Sequence, residues 1–172
     1  NHFERYDMMV FDIKPVLTHA GSMRFYICKK GGKFSSSVSH AVKALEVEER
    51  AKGYDIYETF KHFSNRLEVH REKLITLLNK LRKQGHKIAG YGASGRANTM
   101  IQYCGINHDH LDYIIDDAPA KVGFYTPGSH FEICSKSVLD LPDFPDYLLI
   151  FAWSFFNEIR KKNSDYLNNG GH

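Results

Sequence analysis

The hydrophobic positions near the start of the chain follow a strand pattern. Residues 9–13 (MVFDI) and 22–28 (SMRFYIC) are rich in β-branched and aromatic side chains. The segment between them carries turn-forming residues, so the two runs predict a β-hairpin. A polar helical segment over 38–51 follows a serine-rich stretch, and its predicted N-cap is Ser35, Ser36 or Ser37.

A longer helix is predicted over residues 55–84, where apolar residues recur at steps of three, four or seven and form one stripe. The helix ends at Gly85, a typical C-terminal signal. A helix with a single apolar face packs on another element. The residues of the stripe are Ile56, Phe60, Phe63, Leu67, Leu74, Leu77, Leu78 and Leu81.

Beyond His86, short apolar runs alternate with helical segments, which is typical of a parallel, doubly wound sheet. The segment is long enough for roughly one mononucleotide-binding half. We therefore predict an α/β fold: a Rossmann-like parallel sheet flanked by helices, with an N-terminal β-hairpin and a long amphipathic helix. The predicted strands cover 87–91, 112–116, 131–134 and 146–152, and the predicted helices cover 96–104 and 154–168.

Composition narrows the class of protein. The chain has 172 residues, of which 42% are hydrophobic and 25% charged, and this balance favours a globular domain. A net charge of +3 with scattered lysines does not predict a nucleic-acid partner, and suits a small anionic ligand better. No apolar run approaches the ~20 residues that span a bilayer, so we expect no membrane partner and a cytoplasmic location.

Cysteine and histidine usage gives no metal prediction. The three cysteines form no C-x-x-C pair and are expected to be free thiols. Cys104, His108, His110 and His130 match no zinc spacing, so we predict no metal site.

The segment HKIAGYGASGRANTM, residues 86–100, carries the strongest chemical signal. A strand runs into the spacing G-x-G-x-x-G and then into a helix, an arrangement in which backbone N–H groups meet a phosphate. Asp116 and Asp117 lie 21 and 22 residues after Gly95, where a dinucleotide fold places its ribose-binding carboxylate. Either a dinucleotide turn or a phosphate cradle of another kind satisfies this pattern.

Ligands of open α/β sheets bind beyond the carboxyl ends of the strands. We therefore expect the glycine loop, Asp116 and the segment after strand 146–152 to face one crevice. Arg96 is suited to a diphosphate, and Trp153 either stacks on a ligand or belongs to the core. The candidate binding residues are Gly90, Gly92, Ser94, Gly95, Arg96, Asn98, Thr99, Asp116, Lys121, Tyr125, His130 and Trp153.

Three stretches resemble one family: IAGYGASGRANTMIQYCGI, LDYIIDDAPAKVGFYTPGSHFEI and PDYLLIFAWSFFNEI. They are similar to the C-terminal domain of S-adenosylmethionine-dependent C-methyltransferases that act on nucleotide-linked deoxysugars, and the resemblance covers about residues 3–172. The family has a lysine and a glycine where this chain has Arg96 and Ala97, while Asn98 and Thr99 match. THAGSMRFY also resembles the family's H-G-G-S-L-R strand, in which His19 is a weak catalytic candidate.

The resemblance implies that the chain contains parts of two domains with different roles. Residues 1–33 resemble the end of a methyltransferase domain, and 34–172 a substrate-binding domain that holds a nucleotide sugar by its diphosphate. In this family a base deprotonates a carbon next to a sugar ketone, and the enolate attacks the methyl group of S-adenosylmethionine. The zinc module, the S-adenosylmethionine motif and the base lie upstream in the family. We therefore expect this chain to be a piece that binds no cofactor and is inactive alone.

Two other functions fit the residues. A lobe of an NAD(P)-dependent oxidoreductase would use the same glycine loop, but such enzymes also need a donor pair such as Tyr-x-x-x-Lys, which does not occur near the crevice. A non-catalytic interaction domain would use the helix over 55–84 as a partner surface, and its glycine loop would bind nothing.

Overall fold

The computed structural model describes residues 2–18 and 21–172. His19, the weak catalytic candidate, lies outside the described residues. The chain forms two compact units, Asn1–Asn65 and Arg66–His172, and the division falls within the longest helix. The predicted boundary between residues 33 and 34 concerns the longer protein and stays a prediction. Among the described residues, no helix combines the length and apolarity that crossing a membrane requires.

The first unit contains the predicted hairpin. Strand β1 (Met8–Val16) pairs antiparallel with β2 (Ser22–Lys29), and the register shifts between Val10 and Asp12. Helix α1 (His40–Ala51) begins two residues later than predicted, with Ser39 at the N-cap position. The amide of Ser39 donates to the carbonyl of Phe11 at 2.8 Å, so β1 itself fixes the start of α1.

Helix α2 (Tyr57–Lys83) is the predicted long helix, and its apolar stripe is used unevenly. In the second unit, Leu78 is buried, and Leu74, Ile75 and Leu81 pack against the same core. Nearer the helix start, Phe60 is half-exposed. The periodicity therefore identifies the helix correctly, although only Leu74, Leu78 and Leu81 of the stripe lie in the core of the second unit. The assignment of Leu77 to the stripe was wrong, because it is 51% exposed.

The second unit is built on a four-stranded parallel sheet of order β5-β4-β3-β6. This order, with the fourth strand beside the first, is that of one Rossmann half, and confirms the predicted fold class. The strands are β3 (Ile88–Tyr91), β4 (Ile114–Ile115), β5 (Ile133–Cys134) and β6 (Tyr147–Ile150).

Strand β4 is shorter than the predicted 112–116, and an aspartate whose side chain bonds to the backbone lies near each of its ends. The side-chain carboxylate of Asp112 accepts a hydrogen bond from the amide of Ile88 at 3.2 Å and two more from the guanidinium of Arg82. Asp116, directly after β4, accepts the amide of Ala118 at 2.9 Å and turns the chain. Side chains thus take over hydrogen bonds that a longer strand would give to backbone groups.

Helices cover both faces of the sheet. On one face, Ala97 and Ile101 of α3 (Gly95–Cys104) join the core that contains Leu78. On the other face, Ile159 and Tyr166 pack against Ala89 and Ile115. The sheet is therefore a central layer between two sets of helices.

The predicted helix over 154–168 is interrupted. A 3-10 turn (Trp153–Phe155) leads into α4 (Phe156–Lys162), and α5 (Ser164–Asn168) follows after Asn163. Asn163 is buried, and its amide group donates to the carbonyl of Ile159 at 2.7 Å. The backbone amide of Asn163 donates to the same carbonyl at 3.0 Å, and its backbone angles, φ −112° and ψ 32°, depart from helical geometry, so two short helices meet where periodicity predicts one.

Candidate functional site

Glycine is required at two of the three loop positions by the packing of the sheet. A Cβ at Gly90 would lie 2.6 Å from the ring of Phe151. Gly92 has φ +100°, and a Cβ there would lie 2.9 Å from that of Ala152. At Gly95, the first residue of α3, a Cβ would meet no atom within 4 Å. The third glycine therefore leaves open space at the start of the helix that the fold does not fill.

The side chain of Asp116 holds the loop in place. One of its oxygens accepts the amide of Ala93 at 2.7 Å and the ammonium of Lys121 at 3.0 Å. Lys121 also donates to the carbonyl of Ala93 at 2.8 Å, and the amide of Ala118 donates to the second oxygen of Asp116. Asp116 is only 8% exposed. The carboxylate of Asp116 therefore fixes the loop. It is not exposed to solvent, as a carboxylate that binds a ribose would be.

The start of α3 presents groups suited to an anion. Ser94 caps the helix, with its hydroxyl accepting the amide of Ala97 at 3.3 Å, and Thr99 donates its hydroxyl to the carbonyl of Gly95. Arg96 is exposed on the first turn, 3.5 Å from the hydroxyl of Ser154. The helix dipole and the outward backbone amides add partial positive charge. Asn98 has a buried side-chain oxygen with no hydrogen-bond partner among the described residues.

A cavity of about 170 Å³, which we call the loop cavity, opens beside the glycine loop at the carboxyl ends of the strands. Gly92 follows β3, Asp117 follows β4 and Ala152 follows β6, while Phe155 and Lys162 come from the segment that covers the sheet. Three strand ends thus line one cavity. A second, apolar cavity of about 130 Å³ lies between β6 and the helices α4 and α5, away from the glycine loop.

Asp117 is the centre of a second hydrogen-bond network. Its two oxygens accept the hydroxyl of Tyr91 at 2.9 Å and the ammonium of Lys162 at 2.7 Å. Burial acts to raise the pKa of Asp117, but the hydrogen bonds from Lys162 and Tyr91 and the charges of Lys162 and Lys136 outweigh it, so the pKa lies below its ordinary value. Burial raises the pKa of Tyr91 to about 12; a hydrogen bond to Asn163 acts in the opposite direction, and the hydrogen bond to Asp117 adds to the rise. At neutral pH, Asp117 is therefore an ionised acceptor and Tyr91 a protonated donor.

The other predicted residues separate into two groups. Lys121 lies at the glycine loop. Trp153 lies between two segments that line the loop cavity, and because its side chain is 61% exposed it is not a core residue. Tyr125 and His130 are exposed on a loop. The loop folds back on itself, because the amide of Thr126 donates to the carbonyl of Phe131. The turn of that loop at Gly128 meets Gln102, about two helical turns from the start of α3. Tyr125 and His130 are therefore not brought to the glycine loop.

Sequence reasoning missed Lys162 and Phe155. In the sequence, Lys162 lies late in a helical segment, where a cation complements the helix dipole, and nothing in its neighbours along the chain points to Asp117, 45 residues away. The signal exists only in three dimensions, because α4 folds back across the carboxyl ends of the strands. Phe155 looked like one of several aromatic core residues, yet it lies in the wall of the loop cavity.

The histidines considered for a metal site have structural contacts. The ring of His108 packs on Phe131 with centroids 4.6 Å apart, and Nδ1 of His110 accepts the amide of Asn107. Within residues 2–18 and 21–172, no three histidine, cysteine or acidic side chains are grouped so that they could hold a metal ion.

Comparison with known proteins agrees with this fold. A family model described as the C-methyltransferase C-terminal domain matches residues 17–172. The chain is also 29% identical over 169 residues to the C-methyltransferase NovU of Streptomyces niveus, an alignment that covers 98% of this chain and 40% of NovU. The chain thus spans about two fifths of the length of this relative. Because the family model covers most of its residues, the chain belongs to the family of C-methyltransferase C-terminal domains.

Proposed function

We propose that this domain binds the substrate of an S-adenosylmethionine-dependent C-methyltransferase, and that the substrate is a nucleotide-linked deoxysugar. Its diphosphate binds at the glycine loop and the first turn of α3. The observation that carries the proposal is the loop itself, which Asp116 and Lys121 hold through both backbone groups of Ala93. The amides of Gly92, Ala93 and Ser94 donate within the chain, so the N–H groups that meet the anion are those of Gly95 and Arg96, at the first turn of the helix that this loop positions.

Arg96 supplies the positive charge that a diphosphate requires. Its guanidinium is exposed on the first turn of α3, and its planar fork suits two phosphate oxygens. The open space at Gly95 lets the ligand approach the helix backbone. Ser94 and Thr99 fix the helix start.

The described residues do not fit S-adenosylmethionine. Its sulfonium is a cation, whereas the glycine loop ends at the positive end of a helix dipole beside Arg96. We assign the methyl donor, the catalytic base and, with them, the reaction itself to an upstream domain of the longer protein.

The test is calorimetric titration of the 172-residue chain with dTDP, UDP, GDP, NAD and S-adenosylmethionine. We expect a nucleoside diphosphate to bind, and Arg96→Ala to weaken its binding about tenfold or more, as is typical for a charged hydrogen bond. Arg96→Lys, which restores the residue of the family pattern, should lose less. Arg160→Ala is the matched control, because it removes the same charge from the exposed side of α4.

Three results would contradict the proposal. Binding of NAD without binding of any nucleoside diphosphate would favour an oxidoreductase lobe. An equal loss in Arg96→Ala and Arg160→Ala would mean that only overall charge matters. If none of the nucleotides bound, a non-catalytic interaction domain would be the better description.

A further inference from the structure

Two consecutive carboxylates follow β4, and they have different surroundings. Asp116 accepts three hydrogen bonds from within the chain and is 8% exposed. A carboxylate has about four acceptor positions, so Asp116 is nearly saturated as well as buried. The residue whose spacing fits a ribose-binding carboxylate is therefore committed to the loop.

Asp117 keeps acceptor positions and faces the loop cavity. Each of its oxygens has one donor among the described residues, Tyr91 or Lys162, which leaves roughly half of its acceptor positions for a ligand. Its side chain is 38% exposed. The two donors also fix the carboxylate in one orientation, because Tyr91 is buried in β3 and Lys162 reaches across from α4.

The position of Asp117 relative to the glycine loop narrows the ligand group it can meet. Tyr91 directly precedes Gly92, and its hydroxyl contacts Asp117, so this side chain bridges the loop and the carboxylate. Gly92 and Asp117 line the same cavity. A carboxylate repels phosphate and accepts hydrogen bonds from hydroxyl groups. Both neighbours of the diphosphate carry hydroxyls, the ribose and the linked sugar, and the ribose is the one that Rossmann-like sheets bind at the end of the strand that Asp117 follows.

We propose that Asp117 recognises the nucleotide by accepting a hydrogen bond from the 3′-hydroxyl of its ribose, with Lys162 and Tyr91 as positioning residues. The inference rests on the proposed function, since it requires a nucleoside diphosphate at the glycine loop. The 3′-hydroxyl is the hydroxyl that ribonucleotides and deoxyribonucleotides share. The sequence spacing allows either Asp116 or Asp117 to bind the ribose, and in this proposal Asp117 is the one that does.

The experiment compares two ligands that differ by one hydroxyl. Affinities of the 172-residue chain are measured for dTDP or UDP, whichever binds more tightly, and for its 3′-deoxy form. We expect the wild-type chain to prefer the 3′-hydroxyl ligand about tenfold, the size of one charge-assisted hydrogen bond. In Asp117→Asn this preference should fall to about twofold or less, while the 3′-deoxy ligand binds at least as well as before.

Asp143→Asn is the matched control. Asp143 forms an ion pair with Lys87, which directly precedes β3 at the opposite end of the sheet. Its replacement removes the same charge and the same type of pair, and it should leave the preference unchanged. Far-ultraviolet circular dichroism and urea unfolding show whether each variant is folded.

Each outcome decides the matter. If Asp117→Asn keeps the wild-type preference while Arg96→Ala still weakens binding, the inference is wrong and the proposed function stands. If the wild-type chain binds neither ligand, the proposed function fails and the inference fails with it. A preference lost equally in Asp143→Asn would mean that charge alone decides, and would overturn the role of Asp117.

Discussion

The three glycines of the loop are alike in sequence and differ in what their missing side chains permit. Gly90 admits the ring of Phe151, and Gly92 adopts a left-handed backbone against Ala152. Gly95 has ordinary helical geometry and open space beside it. The first two glycines therefore serve the fold, whereas the third is the one available to serve a ligand.

This difference predicts opposite effects of alanine on stability. Gly92→Ala should lower the free energy of unfolding by about 2 kcal/mol, because it combines a strained φ with a close contact at Ala152. Gly95→Ala should leave it unchanged or raise it by up to about 1 kcal/mol, because alanine is the better helix former. Urea unfolding of the two variants measures both values. A comparable loss in Gly95→Ala would contradict the assignment.

The Lys162–Asp117 pair predicts a pH-dependent contribution to stability. The pKa of Asp117 is lowered in the folded chain, so the pair stabilises it above the ordinary value of 3.8, and this contribution is lost as the pH falls through the lowered pKa. Lys162→Met should therefore cost under about 1 kcal/mol near neutral pH, since both groups are partly exposed, and less below pH 3.8. Urea unfolding across this range tests the trend. Lys161→Met is the control: its free energy of unfolding should differ from that of the wild type by the same amount at each pH.

The two aspartates also show what residue-level prediction reaches. Spacing locates Asp116 and Asp117 at a strand end, and the glycine pattern locates the loop that they approach. It does not reveal which carboxylate turns inward, because that depends on the amides of Ala93 and Ala118 and on Lys121, which only the folded chain brings together.

Among the helices, α2 has the clearest division between buried and exposed apolar side chains. Leu77 and Leu78 are adjacent in sequence, yet Leu77 is 51% exposed and Leu78 is 3% exposed. Their directions differ by about 100°, as the helical period requires. Helical periodicity thus permits a paired test with the same residue type in the same helix.

Leu78→Ala should lower the free energy of unfolding by about 3 kcal/mol, because it removes buried methyl groups and leaves a cavity in the core. Leu77→Ala should change it by less than about 0.5 kcal/mol, because the side chain is largely in solvent. Chemical unfolding measures both. Similar losses in the two variants would mean that the face of α2 that packs on the sheet is wrongly assigned.

Elements with a strong period were predictable, and short ones were less so. Periodicity located α2 and α3 to within a few residues. It missed the break at Asn163, where the backbone leaves helical geometry and the buried side-chain amide donates to the carbonyl of Ile159. It also made β4 too long at its start, where the side chain of Asp112 accepts the amide of Ile88.

At the scale of the whole molecule, the arrangement of the site determines which ligands should protect the chain from unfolding. The glycine loop, Arg96 and the loop cavity all lie at the carboxyl ends of the sheet, and we assign the methyl donor elsewhere. A nucleoside diphosphate at 100 times its dissociation constant should stabilise the chain by about 2.7 kcal/mol. S-adenosylmethionine should give no shift. Thermal unfolding with each ligand measures the effect, and stabilisation by S-adenosylmethionine would contradict this assignment.

The hydrogen bond from the amide of Ala93 to Asp116 also affects the rates at which a ligand binds and dissociates. Asp116 and Lys121 already hold the loop, so the loop itself does not have to fold before a ligand binds, and we expect the association rate to depend on diffusion and on attraction of an anion to Arg96. Nucleotides that share a diphosphate should then arrive at similar rates. Discrimination among them would lie in how long each one stays.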